Sequence, residues 1–198
     1  MYKRQLLYLY KASQRNAFLE AGKKVLDFEL NNSSKSIDGG ISWKKIVDQG
    51  RIVYPYLGQG SAGVGKAVAR YLDFTGEERY SEFLEKIVAD TNRKYTVFPG
   101  LTNGITGLGD FLIDAYQVTG NEAHLKAAYR AASGLLLFKM ERDEGIAFPG
   151  DGLTRISCDY STGSAGIGSF LNRLVNTTER ADYLLDGYFE KSALTSAA

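Results

Sequence analysis

"NGITGLGDFLIDAY", residues 103–116, sets glycines at 104, 107 and 109 and then runs on through an apolar stretch. "QGSAGVGKAVARYL" (59–72) and "STGSAGIGSFLNRL" (161–174) repeat the design. Aligned on the first glycine, Gly60, Gly104 and Gly163 share a column, as do Gly63, Gly107 and Gly166, and Gly65, Gly109 and Gly168. Val64, Leu108 and Ile167 coincide between the last two glycines, then Val68, Leu112 and Leu171, then Thr75, Thr119 and Thr178. Self-similarity at a period of several tens of residues marks stacked supersecondary units.

Each unit reads as a helical hairpin. The first helix starts at the glycines and is apolar nearly all round, which predicts burial on every side. A turn follows ("TGEE", "TGNE", "NTTER"), then a second, amphipathic helix with its charges on one face: "RYSEFLEKIVADTNRK", "AHLKAAYRAASGLLLFKM" and "ADYLLDGYFEKSAL". The fold class expected is all-α. Glycine lowers helix stability, so three such runs point to close packing of inner helices rather than to ligand contact at each glycine.

"LLYLYKASQRNAFLEAGKKVLDFE" matches the end of an inner helix and the outer helix after it, with Phe18-Leu19-Glu20 opposite Phe83-Leu84-Glu85. Residues 1–198 are therefore expected to form a single domain of about three and a half hairpins. Leu6, Leu7, Leu9, Phe18, Leu19 and Val25 should present an apolar face that calls for a partner.

Composition narrows the function. The 198 residues are 44% hydrophobic and 24% charged, with Lys+Arg 24 against Asp+Glu 23, so no overall field draws nucleic acid or an anionic membrane. One His and one Cys exclude an internal disulfide and leave no Cys/His metal cluster. The start lacks a signal-peptide core and no apolar run reaches membrane-spanning length, so a cytoplasmic protein is expected.

The G-x-x-G-[VLI]-G repeats, with "FPG" turns at 98–100 and 148–150, resemble lanthionine synthetase C-like (LanC-like) cyclases, and "CDYSTGSAGIGSFLNRL" (158–174) is similar to the last repeat of the cyclase domain in class III lanthipeptide synthetases. The resemblance implies an alpha/alpha toroid, here as an incomplete barrel. It implies addition of a precursor peptide's Cys thiol to dehydroalanine or dehydrobutyrine, giving lanthionine or labionin thioether rings. The partners it implies are the dehydrated precursor peptide and the remaining lyase, kinase and cyclase parts, in cis or in trans; a homo-oligomer is a further expectation. In zinc-bearing relatives one Cys lies two residues before a repeat's first glycine, and a Cys-His pair precedes the next. Those positions hold Gly58, Thr102 and Asn103, so neither metal nor other cofactor is expected.

Without a metal, the addition needs a base for the thiol, a donor for the acceptor carbonyl and a proton for the enolate carbon. The polar residues at the inner-helix mouths are the candidates. Asp159, Tyr160 and Asn103 stand as catalytic residues: Asp159 and Tyr160 as base and acid, Asn103 with the helix N-terminal amides as enolate stabiliser. Tyr56, Gln59, Thr102 and Arg155 stand as substrate-binding residues. Each also has a plain reading as a loop hydrogen bond or helix cap, and Asp110 as a favourable first-turn charge. His124 shares its column with Tyr80 and Tyr183 and is read as structural or surface-facing; Cys158 is read as a buried thiol.

Two other functions compete. One is a non-catalytic module that holds the precursor peptide or scaffolds a synthetase. The other is a carbohydrate-active toroid enzyme, which needs paired carboxylates; only scattered ones such as Asp110 and Asp159 are available.

Overall fold

The computed structural model describes residues 2–47, 50–178, 180 and 184–189. The chain is all-α, built of hairpins of the alpha/alpha toroid type. Inner helices α1 (Tyr2–Ser13), α3 (Ser61–Thr75), α5 (Ile105–Thr119) and α7 (Ser164–Val175) pack in chain order, α1 on α3, α3 on α5, α5 on α7. Outer helices α2 (Asn16–Asn31), α4 (Glu78–Thr91) and α6 (Glu122–Leu135) pair with α1, α3 and α5. Among the described residues, no helix is long and apolar enough to cross a membrane.

Three two-stranded antiparallel ribbons fill the connections: β1 (Ser34–Lys35) with β2 (Ile41–Ser42), β3 (Lys44–Val47) with β4 (Gly50–Val53), and β5 (Met140–Arg142) with β6 (Gly145–Ala147). The sequence reading ran α6 through Met140. It stops at Leu135, where Gly134 lies so close to the Lys94 carbonyl that a Cβ would stand 1.7 Å from the oxygen.

The repeat columns have separate structural causes. At the second glycine the lead-in loop folds back onto the helix it feeds, and the carbonyl six residues earlier occupies the space of a side chain. A Cβ would stand 2.4 Å from Leu57 O at Gly63, 2.1 Å from Leu101 O at Gly107 and 2.0 Å from Tyr160 O at Gly166. The third glycine is a socket for an aromatic ring from the next inner helix. A Cβ would lie 2.4 Å from Phe111 Cε2 at Gly65 and 2.5 Å from Phe170 Cζ at Gly109. Glycine costs a helix about 1 kcal/mol against alanine, while full burial of a phenylalanine contributes about 1.5–3 kcal/mol. The exchange favours the socket.

The threonine column closes each hairpin. Thr75 Oγ1 donates to Tyr71 O at 2.7 Å and accepts from the Glu77 amide; Thr119 Oγ1 does the same with Ala115 O (2.7 Å) and the Asn121 amide. Gly76 and Gly120 then turn the chain in the left-handed conformation, at φ 66° and 68°. The third repeat departs from this: α7 ends at Val175, three positions before Thr178. Of the outer helix expected at 181–194, only 184–189 is described, with a helical turn at 186–189.

Inner helices α3 and α5 are buried on every face over 61–71 and 105–115, as expected, but not because they are apolar, whereas α7 leaves Ala165, Gly168, Asn172 and Val175 exposed and α1 leaves Gln5, Leu9, Ala12 and Ser13 exposed. The run Ile105–Ala115 is buried throughout, yet it contains Asp110 and Asp114; α3 buries Lys66 and Arg70, and α7 buries Arg173. The predicted N-terminal apolar face is partly covered within the chain. Leu7 is in the core and Leu6, Phe18 and Leu19 are half-buried, whereas Leu9 and Val25 are exposed. Tyr71 of α3 donates its hydroxyl to Lys3 O at 3.0 Å, tying α1 down.

Candidate functional site: the mouth of the inner helices

Three lead-in loops meet at the N-terminal ends of α3, α5 and α7. They are joined at the residue two before each first glycine. The Gly58 amide donates to Thr102 O (2.8 Å), and the Thr102 amide donates to Ser161 O (2.9 Å). The Thr102 and Ser161 hydroxyls also share a hydrogen bond of 2.6 Å. Register between repeats is thus fixed by backbone at the mouth and by aromatic sockets below it.

Four of the seven residues singled out from sequence come together here. Gln59 and Thr102 line a cleft of about 360 Å³ with Leu57, Gly58 and Gly60; Lys3, Arg4 and Glu29 form its other wall, where Lys3 Nζ pairs with Glu29 at 2.9 Å. Gln59 also lines a second cleft of about 260 Å³ with Tyr56, Asn103, Tyr54 and Phe98. Burial raises the Tyr56 phenol above its usual value, and a hydrogen bond from the Val97 backbone only partly opposes this.

Asp159, Tyr160 and Arg155 lie on the third lead-in loop and line neither of these clefts. Asp159 accepts hydrogen bonds from the Ser157 hydroxyl, the Thr162 hydroxyl (2.7 Å) and the Thr162 amide (2.7 Å). These bonds, Ser157 foremost, hold its carboxyl well below the usual range. An exposed carboxylate so engaged is a weak base. Tyr160 donates to Ser169 Oγ at 3.0 Å, and Arg155 is exposed, with its carbonyl taking the Gly150 amide. Cys158 is exposed, not buried as expected. It stands in the column that holds Pro55 and Pro99, where the longer third loop lifts it off the fold.

The positions that carry zinc ligands in metal-bearing relatives do converge. A Cβ at Gly58 would lie 2.5 Å from Thr102 Cγ2 and 3.2 Å from Asn103 Oδ1. What converges is a methyl, an amide and a glycine, a donor set that does not fit zinc. No cluster of three or more His, Cys, Asp or Glu among the described residues could hold a metal ion.

Below the mouth lies a feature that sequence reasoning missed. Lys66 Nζ contacts Asp110 (2.7 Å) and Asp114 (2.6 Å); Arg173 pairs with Asp110 and with Asp114 (2.7 Å); Arg70 pairs with Asp114 and with Asp186 (2.8 Å). Three cations thus face three carboxylates, all buried. Burial pushes each carboxyl up, but the surrounding cations outweigh it and hold all three below the usual range, Asp114 furthest. Burial also lowers Lys66, an effect Asp110 and Asp114 only partly offset. Asp110 is therefore not a first-turn charge but a buried carboxylate shared by Lys66 and Arg173. The signal was present in the repeats: Lys66 and Asp110 share one column, and Arg70, Asp114 and Arg173 another.

His124 is structural and buried. Its Nδ1 is 3.1 Å from Thr119 Oγ1 and its Nε2 3.2 Å from Glu85, so the ring bridges α6 to α4.

The family described as "Lanthionine synthetase C-like protein" matches residues 5–190. A Streptomyces coelicolor protein named "Probable SapB synthase" is 30% identical over 160 residues, covering 81% of this chain and 17% of that protein. The matched region therefore spans about a sixth of the length of this relative. A match across nearly all the described hairpins shows that the chain belongs to the lanthionine synthetase C-like family.

Proposed function

We propose that the chain is part of a lanthipeptide synthetase cyclase of class III type that forms thioether rings without zinc. The observation that carries this reading is the joined mouth: three lead-in loops locked through Gly58, Thr102 and Ser161, in a chain the family matches over residues 5–190. The substrate is a dehydrated precursor peptide. The thiol S–H gives its proton to solvent water, sulfur bonds to the β-carbon of dehydroalanine or dehydrobutyrine, the C=C electrons move onto the carbonyl oxygen, and the enolate collapses as the α-carbon takes up a proton from a phenol that solvent then reprotonates. Asn103 receives the developing oxyanion; the Ala62, Ile105 and Thr106 amides at the starts of α3 and α5 already donate to Pro55 O, Phe98 O and Pro99 O. Tyr160 supplies a proton, and Asp159 fixes the loop that carries it; Tyr56, Gln59, Thr102 and Arg155 hold the peptide. The remaining lyase, kinase and cyclase parts, in the same polypeptide or another, complete the enclosure, and a second copy of the chain is the alternative neighbour.

A specific observation favours a second reading. The groups at the loop junction are amides and hydroxyls, and Asp159 is too weak a base to take a thiol proton at neutral pH. On that reading the chain holds the peptide and performs no chemistry. One experiment separates the two. Ring closure leaves the peptide mass unchanged but consumes a thiol, so alkylation counts by mass spectrometry follow it. Faster thiol loss than in buffer supports the cyclase; peptide binding with thiol loss at the buffer rate supports the holding module.

A further inference from the structure

The second mouth cleft continues outward. The cleft of Tyr54, Tyr56, Gln59, Phe98 and Asn103 shares Tyr54 and Tyr56 with a neighbouring one of about 460 Å³ that runs past Tyr95 and Val97. Tyr54 and Tyr56 stack with ring centroids 6.1 Å apart. Tyr95 and Val97 are 61% and 64% exposed, so the outer walls are apolar surface left open to solvent among the described residues.

Among the described residues, charge is nearly absent from this groove. The one charged residue among those described that line it, Arg93, is engaged with Asp90 (3.3 Å) and Asp38 (3.5 Å), and Lys94 lies over the Tyr95 ring at the outer end. The inner half offers two aromatic walls, two phenol groups and the carboxamides of Gln59 and Asn103. A carboxamide both donates and accepts, which matches a peptide bond. A charged side chain entering the inner half would lose water and find no counter-ion there among the described residues.

We propose that this groove is the specificity subsite for the peptide. It takes an extended, uncharged segment whose apolar side chain lies against Tyr54, Tyr56 and Phe98 and whose backbone amide meets Gln59 and Asn103. The inference rests on the cyclase or holding reading, both of which require a peptide at the mouth. Continuity through Gln59 and Asn103 places the segment directly beside the candidate reacting position.

Fluorescence anisotropy with a labelled synthetic peptide tests it. The probe carries dehydroalanine with leucine as its neighbour, and companion peptides carry aspartate or lysine in place of that leucine. The leucine peptide should bind about tenfold more tightly than either charged one. Tyr54→Ala should remove that preference, and Tyr54→Phe should keep it, with both variants checked for unchanged melting. Equal binding of the three peptides, or a preference that survives Tyr54→Ala, overturns the subsite. Thiol consumption, measured separately on the same peptides, shows whether the cyclase reading stands or falls independently.

Discussion

The Tyr8 hydroxyl donates to Asp186 Oδ1 at 2.8 Å, joining residues 178 positions apart. The same carboxylate takes Arg70 at 2.8 Å, and the Tyr8 ring stacks on Phe189. Helix α1 and the 184–189 segment are therefore held together through a charged group of α3. Removing one partner of a buried ion pair costs about 3–5 kcal/mol, because it strands the other charge. Asp186 is buried, and Asp186→Ala both strands Arg70 on one side and removes the Tyr8 acceptor, so it should cost about 3 kcal/mol in urea unfolding, and Tyr8→Phe about 1 kcal/mol. The two effects should not add, since both remove one bond. Strict additivity would mean that the bond is not made in solution.

The buried cluster also sets the acid limit. Asp110, Asp114 and Asp186 have folded-state pKa values below those of the unfolded chain. Their contribution is fully present above the unfolded carboxylate pKa of about 3.9 and is lost as pH falls through the lower folded values. Urea midpoints should hold steady down to about pH 5 and fall below about pH 4. Asp114→Asn should lower stability at neutral pH and flatten that acid limb. A limb of unchanged slope in the variant would assign acid sensitivity to other carboxylates.

The glycine columns predict opposite outcomes for one chemical change. Gly107→Ala drives a methyl into Leu101 O and should cost about 2–3 kcal/mol. Gly168 has open space around it among the described residues, so Gly168→Ala should gain about 1 kcal/mol from helix propensity. Similar effects at the two positions would contradict the close-approach explanation.

This contrast shows what could be read in the sequence. A backbone carbonyl against a helix tolerates only glycine, so Gly63, Gly107 and Gly166 carry their tertiary environment in their identity. Tyr56, Gln59, Thr102 and Asn103 were found because the repeat register places them just ahead of the helix starts. Lys66 and Arg70 were missed although the repeat columns set them against Asp110 and Asp114: a charge in an apolar helix reads as a solvent face until its partner is known, and Asp186, the other partner of Arg70, lies over a hundred positions away. Asp159 was recognised as polar and mouth-adjacent, but its basicity depends on Ser157 and Thr162, whose local turn only the structure shows. The β5–β6 ribbon was missed because "GLLLFKM" continues a helical pattern, and Gly134 gives no warning of the Lys94 carbonyl beside it.

The metal expectation is open to a direct check. Gly58, Thr102 and Asn103 supply no zinc donor set, so elemental analysis should find far less than one zinc per chain, and a chelator should leave the melting temperature unchanged. Stoichiometric zinc lost on changing Asn103 would contradict this.

The measurement that bears most directly on the proposed chemistry is the rate of thiol loss from a dehydrated Cys-containing peptide, in the presence of chelator, for the parent chain with its synthetase partners and for Asn103→Ala and Tyr160→Phe in the same assembly. Removing an oxyanion donor or a proton donor from a positioned site typically costs about 10²-fold in rate. The account predicts chelator-resistant ring closure and a loss of that order in each variant, with peptide binding retained. Closure abolished by the chelator, or unaffected by both substitutions, would contradict it.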